Sequence, residues 1–314
     1  MRRIIGLDVS KKWLDACIYV SNNKPIYQRF ANDNLGHEEF IKLTKNQGIE
    51  LIVCEATGGY EAEICQKLYS NGQRIHKVNT YNFNSFSKSV NFCKTDKQDA
   101  FKLAYYGDKM QLTANYLYQV ESETLKRYQQ RREDLVLMLS NEKKRLHNSI
   151  DGIDKESREK LMKFLQKEIA ELDEKLNELI DGSEELKEKT KILETVSSIG
   201  KCLASKLISF LPELGKKHYS SNELSEMVGI APYARDSGSK QGRRFIRGGR
   251  KIPRDALYMA VLTGKNGFQY LKALYDRLIN NFKPKKVATV ACMRKLLEVC
   301  HKLIQQKRVF VVNQ

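Results

Sequence analysis

Apolar positions in the first hundred residues come in short runs, and their period shifts between strand and helix. Residues 3–9 form an apolar run that carries Asp8 near its end, and residues 13–20 form a second, reached through the turn-like Ser10-Lys11-Lys12. Residues 25–30 offer a third strand. Helical spacing then takes over at residues 38–45, with Phe40, Ile41 and Leu43 on or near one face. Residues 51–54 read as a buried strand that stops at Glu55, Gly58-Gly59 marks a turn, residues 60–70 read as a helix and residues 74–78 as a final strand. Three consecutive strands followed by β–α units fit a mixed sheet covered by helices.

Residues 94–112, which contain KTDKQDA, predict another helix. From about residue 121 to residue 191, leucine and isoleucine recur at three- and four-residue steps among many Glu, Lys and Arg. That is the pattern of long amphipathic helices, and Asp151-Gly152 marks the break of an antiparallel pair. No catalytic cluster stands out there, so the stretch reads as a spacer or oligomerisation arm. In the last third, residues 193–208 read as helix, glycine turn, helix, and residues 222–229 as a short helical unit. Residues 237–254 are rich in Gly and Arg, and residues 287–307 form a helix with apolar Val290, Met293, Leu297, Cys300 and Leu303. The expected organisation is an α/β domain over 1–115, a long helical, coiled-coil-like spacer over 116–190 and a mainly α domain over 191–314.

Charge changes the picture. Lysine and arginine number 55 against 38 aspartates and glutamates, a net +17 in 314 residues. An excess of this size favours a polyanionic partner, because fixed positive charge gains affinity by releasing counterions from phosphates. The seven cysteines include no CxxC pair, and Cys17 and Cys54 sit in apolar runs, so neither a disulfide frame nor a zinc knuckle is expected. Asp8 arrives before any signal-peptide core, and no apolar run approaches the ~20 residues needed to span a bilayer. A cytoplasmic protein without membrane contact is expected.

Two groups of residues carry candidate chemistry. Asp8 and Glu55 end separate strands, and Asp96 and Asp99 lie three apart, hence on one helical face. Strand-end acids on neighbouring strands meet at a sheet edge, and a helix packed there adds two more. Such a set suits two hard divalent ions acting on phosphorus, Mg²⁺ or Mn²⁺. Taken singly, Asp8 reads equally as a turn residue, and Asp96 as the N-cap of its own helix with Asp99 in the first turn. The second group is Ser237-Gly238, followed by Lys240, Arg243, Arg244, Arg247, Arg250, Lys251 and Arg254. On chemistry alone this is a phosphate-binding loop or, with an activating field, a serine nucleophile clamped among guanidiniums.

Together, GLDVS, VCEATGGY and KTDKQDA resemble the carboxylate motifs of the DEDD transposases of bacterial insertion sequences. The resemblance implies a RuvC-like, ribonuclease-H-type N-terminal domain with Asp8, Glu55, Asp96 and Asp99 as the metal-binding quartet. The C-terminal third is similar to the serine transposase domain of the same family, through Pro232, Ser237-Gly238, Gly242, Gly248-Gly249-Arg250 and Arg254 to Leu257. It implies a serine that forms a covalent phosphoserine link to DNA, here Ser237, with Ser239 the second choice because SGS leaves the register open. It also implies a multimer, dimer or tetramer, guided by a structured bridge RNA. The glycine turn departs from the family pattern, since Ser197-Ser198-Ile199-Gly200 lacks the usual proline. The function expected is a DNA recombinase. The rivals are a RuvC-like junction nuclease without serine chemistry and a non-catalytic nucleic-acid scaffold.

Overall fold

A computed structural model describes residues 2–21, 23–56, 58–78, 80–89, 96–116, 120–149, 152–234, 236–238, 242 and 244–311. The chain divides into two compact units, Met1–Tyr118 and Gln119–Gln314.

In the first unit, β1 (Arg3–Val9), β2 (Trp13–Val20) and β3 (Ile26–Ala31) run as an antiparallel meander. Then come α1 (Asn34–Asn46), β4 (Leu51–Glu55), α2 (Ala62–Ser70), β5 (Ile75–Val78), α3 (Thr80–Ser89) and α4 (Asp96–Lys109). β4 lies parallel to β1 and β5 parallel to β4, giving the order β3-β2-β1-β4-β5. Strand pleating sends Ile5, Leu7, Ile52 and Cys54 into one core with Phe40 of α1 and Ile64 and Leu68 of α2. It sends Ile4, Leu51 and Val53 into a second core with Leu103 and Ala104 of α4. The mixed sheet covered by helices is the architecture expected from the alternation.

The helix α3 was not anticipated. Its sequence, TYNFNSFSKS, is dominated by Asn, Ser and Thr, which compete with their own backbone and favour turns. Tertiary contacts override that preference: Phe83 and Phe86 pack on the ring of Tyr106 of α4, with centroids 5.6 and 4.9 Å apart. The helix predicted over 94–112 is shorter; residues 94 and 95 lie outside the described residues, and α4 spans Asp96–Lys109.

The second unit comprises α5 (Val120–His147), α6 (Gly152–Asp181), α7 (Glu184–Glu194), α8 (Lys201–Phe210), α9 (Ser221–Val228), α10 (Lys251–Gly267), α11 (Gln269–Asn280) and α12 (Lys285–Gln306). α5 and α6 pack antiparallel, tied by Arg132 to Asp173 (2.5 Å) and Arg158 to Glu142 (2.9 Å). The charged stretch holds a third helix that was read as a continuation. α7 starts where Ser183 accepts a bond from the Leu186 amide, and Glu184 and Glu185 favour the positive end of its dipole. Nor does the arm have a core of its own at its base: Leu125 of α5 and Leu176 and Ile180 of α6 join the C-terminal core with Leu207, Leu257, Leu271 and Leu297. No helix among the described residues is long and apolar enough to cross a membrane.

Candidate active site

The parallel register pairs Ile5 with Ile52, Gly6 with Val53 and Leu7 with Cys54. Asp8 and Glu55 are the next residues on the two strands, so both fall at the carboxyl edge of the sheet. Strand alternation turns both toward the face that α4 covers. Gly6 is what lets α4 lie so close. A Cβ there would stand 1.9 Å from the Ala100 carbonyl oxygen and 2.5 Å from the Ala104 amide, so no other residue fits this crossing. Asp99 is the residue just before Ala100, and the close approach delivers it to the sheet edge.

The electrostatics match that placement. Glu55 is half-buried, and its carboxyl is pushed above the ordinary range by burial, then by the charge of Asp99, while a hydrogen bond with Thr80 opposes the rise. Asp99 accepts from the Lys102 ammonium at 2.9 Å, and Lys102 is 5% exposed. Asp8 is half-buried and faces Asp15 across β1 and β2. Asp15 is buried and held by a two-pronged bond from Arg29 at 2.8 and 3.0 Å; the same guanidinium lies over the Trp13 ring. Asp96 is the first residue of α4, and its side chain lies outside the described residues. Among the described residues, no three His, Cys, Asp or Glu side chains close around one point that would hold a metal ion. The donor chemistry nonetheless fits a hard cation: carboxylates near the ends of two neighbouring strands and on the helix that crosses them, all oxygen donors.

In the second unit the serine segment is a loop with locked ends. Gly229, at φ 77°, caps α9, and Gly249, at φ 74°, crosses directly over it. A Cβ on Gly229 would meet the Gly248 carbonyl oxygen at 2.0 Å, and one on Gly249 would meet the Gly229 amide at 2.2 Å. Between them Tyr233 and Phe245 exchange backbone hydrogen bonds at 2.8 and 3.2 Å. Asp236 then ties the inner turn by accepting from the Gly242 amide (3.0 Å) and from Arg244 (2.6 Å), so its carboxyl is held below the usual range. Ser237 and Gly238 are exposed inside this frame. Ser239, Lys240 and Arg243 lie outside the described residues.

The basic residues divide by environment. Arg244 and Arg247 are exposed, the latter 4.4 Å above the Tyr233 ring. Lys251 pairs with Asp255 one turn along α10. Arg250 instead grips Glu213 through its two terminal guanidinium nitrogens at 2.6 and 2.7 Å and donates to the Phe210 carbonyl at 3.0 Å. Burial raises the Glu213 carboxyl, but the Arg250 bonds and charge leave it below its ordinary value. Arg254 bonds the carbonyls of Gly248 and Val228. These two arginines brace the loop crossing.

Sequence reasoning passed over Lys102, Thr80, Asp236 and Glu213. Lys102 and Asp236 were open to it, one lying three residues past Asp99 on a helix and the other beside Ser237. Thr80 and Glu213 carry no local signal, since each meets its partner only through the fold.

Acids at the carboxyl edge of a mixed sheet and an exposed serine among arginines are groups suited to chemistry on phosphate. The comparisons agree. A DEDD transposase model of the IS110 type matches residues 5–154, and a model described as "Transposase IS116/IS110/IS902 family" matches residues 190–276. Together they cover most of the chain, which belongs to this transposase family and is an enzyme of DNA recombination. Similar relatives include the pilin gene-inverting proteins of Moraxella lacunata, 28% identical over 98% of this chain and 97% of the relative, and of Moraxella bovis, 27% identical over the same shares.

Proposed function

We propose that this recombinase cuts and rejoins DNA of an insertion sequence through the carboxylates Asp8, Glu55, Asp96 and Asp99 and a nucleophilic serine, Ser237, with Ser239 as the alternate. The observation that carries the reading is the parallel register that brings Asp8 and Glu55 side by side at the carboxyl edge of the sheet, with Asp99 on the helix that crosses Gly6. A RuvC-like fold for the first unit accords with the mixed sheet and with the family. Bound by these oxygens, Mg²⁺ or Mn²⁺ would neutralise the crowded charge and activate oxygen at phosphorus.

The chain's own residues supply the rest. Lys102 holds Asp99 in place, and Arg29 neutralises Asp15 so that it does not add to the charge around Asp8. The Ser237 hydroxyl loses its proton as its oxygen attacks a scissile phosphorus; a phosphoserine bond forms, the P–O bond to the leaving strand breaks, and the departing DNA oxygen takes up a proton. A second DNA hydroxyl then displaces the serine, so the phosphodiester count is conserved without external energy. Lys240, Arg243, Arg244, Arg247 and Lys251 contact the backbone phosphates, while Arg250 and Arg254 hold the loop in shape. The Moraxella relatives are named for inverting a pilin gene, and the reading accords with that name.

The net charge of +17 leaves room for a structured guide RNA beside the DNA, as the family resemblance implies. Exposed Leu137 and Met138 on α5 and Leu161 and Phe164 on α6 support a coiled-coil-like oligomerisation arm, for a dimer or tetramer. The test is a denaturing gel after incubation with the element's end sequences, guide RNA and Mg²⁺. The wild type is expected to show a DNA–protein adduct, with Ser237→Ala and Asp8→Asn showing none. Strand cleavage that persists in Ser237→Ala without any adduct would replace this reading with a metal-dependent junction nuclease.

A further inference from the structure

The turn between α11 and α12 carries a phenylalanine where folding alone favours glycine. The Lys283 amide bonds back to the Leu278 carbonyl (3.1 Å) and the Phe282 amide to the Ile279 carbonyl (2.9 Å). This pair of bonds is the helix-ending motif that needs a left-handed residue at its centre, usually glycine. Phe282 occupies that position at φ 55°, a conformation that bulky side chains rarely adopt. The other non-glycine residues with positive φ, among those described, are Gln111 and Lys307, both polar. The ring gains nothing inside the protein, because Phe282 is 97% exposed. Exposed Arg277 lies in the last turn of α11, and exposed Lys283, Lys285 and Lys286 follow Phe282 into the start of α12; none of the four makes an ion pair among the described residues.

We propose that Phe282 is a wedge that inserts between stacked bases of duplex DNA, while Arg277, Lys283, Lys285 and Lys286 hold the flanking phosphates. An exposed aromatic in a hydrogen-bonded turn, with cations on both sides of it along the chain, matches the chemistry of a kinked duplex step. Apolar side chains unstack the bases there, and the phosphates on either side bind positive charge. The fixed backbone matters too, because a ring already held outward loses little freedom on insertion. The inference rests on DNA being the substrate of this family. It concerns a segment beyond the matched residues 190–276.

The experiment measures binding of the full chain to a 30-base-pair mixed-sequence DNA duplex by fluorescence anisotropy across a salt series. Phe282→Ala is expected to weaken binding about tenfold with an unchanged salt slope, since stacking is not ionic. The triple change Lys283→Gln, Lys285→Gln, Lys286→Gln is expected to lower the slope by about 2–3. Phe282→Gly provides the control for folding: it is expected to raise the melting temperature by about 2 °C while still losing affinity. Trp13 is the chain's only tryptophan. In a Trp13→Phe, Phe282→Trp chain the remaining indole is therefore expected to lose fluorescence when duplex is added.

Equal affinity of Phe282→Ala and wild type, or an indole that stays bright, overturns the wedge while leaving DNA binding intact. Absence of any duplex binding by the wild type overturns both the wedge and the DNA reading. A loss confined to an RNA duplex of the same sequence, or to vesicles of anionic phospholipid, assigns the tip to another partner and overturns the proposal.

Discussion

At the scale of single residues, the site is built from charges that resist one another until something neutralises them. Burial and the neighbouring Asp99 raise the Glu55 carboxyl, so the folded chain favours its protonated form. A raised carboxyl makes its stabilising contribution at low pH and loses it as pH climbs through the folded value. At neutral pH the ionised Glu55 therefore destabilises the chain. Glu55→Gln is expected to raise the melting temperature slightly in the absence of divalent ions, a gain of about a few tenths of a kcal/mol for a partly exposed group. The same variant is expected to lose DNA joining in the gel assay. Arg250 behaves oppositely. Its two-pronged grip on Glu213 is structural, so Arg250→Ala is expected to cost about 1–2 kcal/mol in urea denaturation. Arg250→Lys is expected to recover little of that loss, because an ammonium cannot make both bonds.

At the scale of elements, the close crossing of α4 over β1 is the feature least tolerant of change. Gly6→Ala is expected to destabilise the first unit by about 3 kcal/mol, since backbone and not a flexible side chain blocks the added carbon. The buried histidines set an acid limit. His301 accepts from the Gly215 amide at one ring nitrogen and bonds the Tyr219 carbonyl through the other, so it is held neutral. Burial lowers the pKa of His37, His76 and His301 alike. A depressed histidine contributes its full stability above the unfolded value near 6.5 and loses it as pH falls further. Unfolding free energies from denaturant titrations between about pH 8 and pH 5.5 are expected to fall once the pH drops below about 6.5.

These elements also show what a sequence discloses. The strands were legible because residues 3–9, 13–20 and 51–54 are short apolar runs set off by turn residues. The acids at 8, 55 and 99 were legible by their place at strand ends and on a helix face. Helix α3 was hidden because its stability resides in Phe83 and Phe86 meeting Tyr106, a contact that local propensity does not encode. The bond between Arg250 and Glu213 spans 37 residues and was hidden for the same reason.

At the scale of the whole molecule, the excess of positive charge governs how the protein finds and holds its partners. Affinity for a mixed-sequence duplex is expected to fall steeply between about 50 and 200 mM salt, by ~10³-fold or more if six or more phosphates are neutralised. A shallow dependence would mean that the charge serves solubility instead. The serine loop has a different consequence. It departs from and returns to the helical body through one point, where Gly229 and Gly249 touch backbone to backbone. The described residues between them sit on a closed clasp. Exchanging the exposed residues inside it is therefore expected to leave the melting temperature of the helices behind it unchanged, because the clasp and not the loop interior joins that packing.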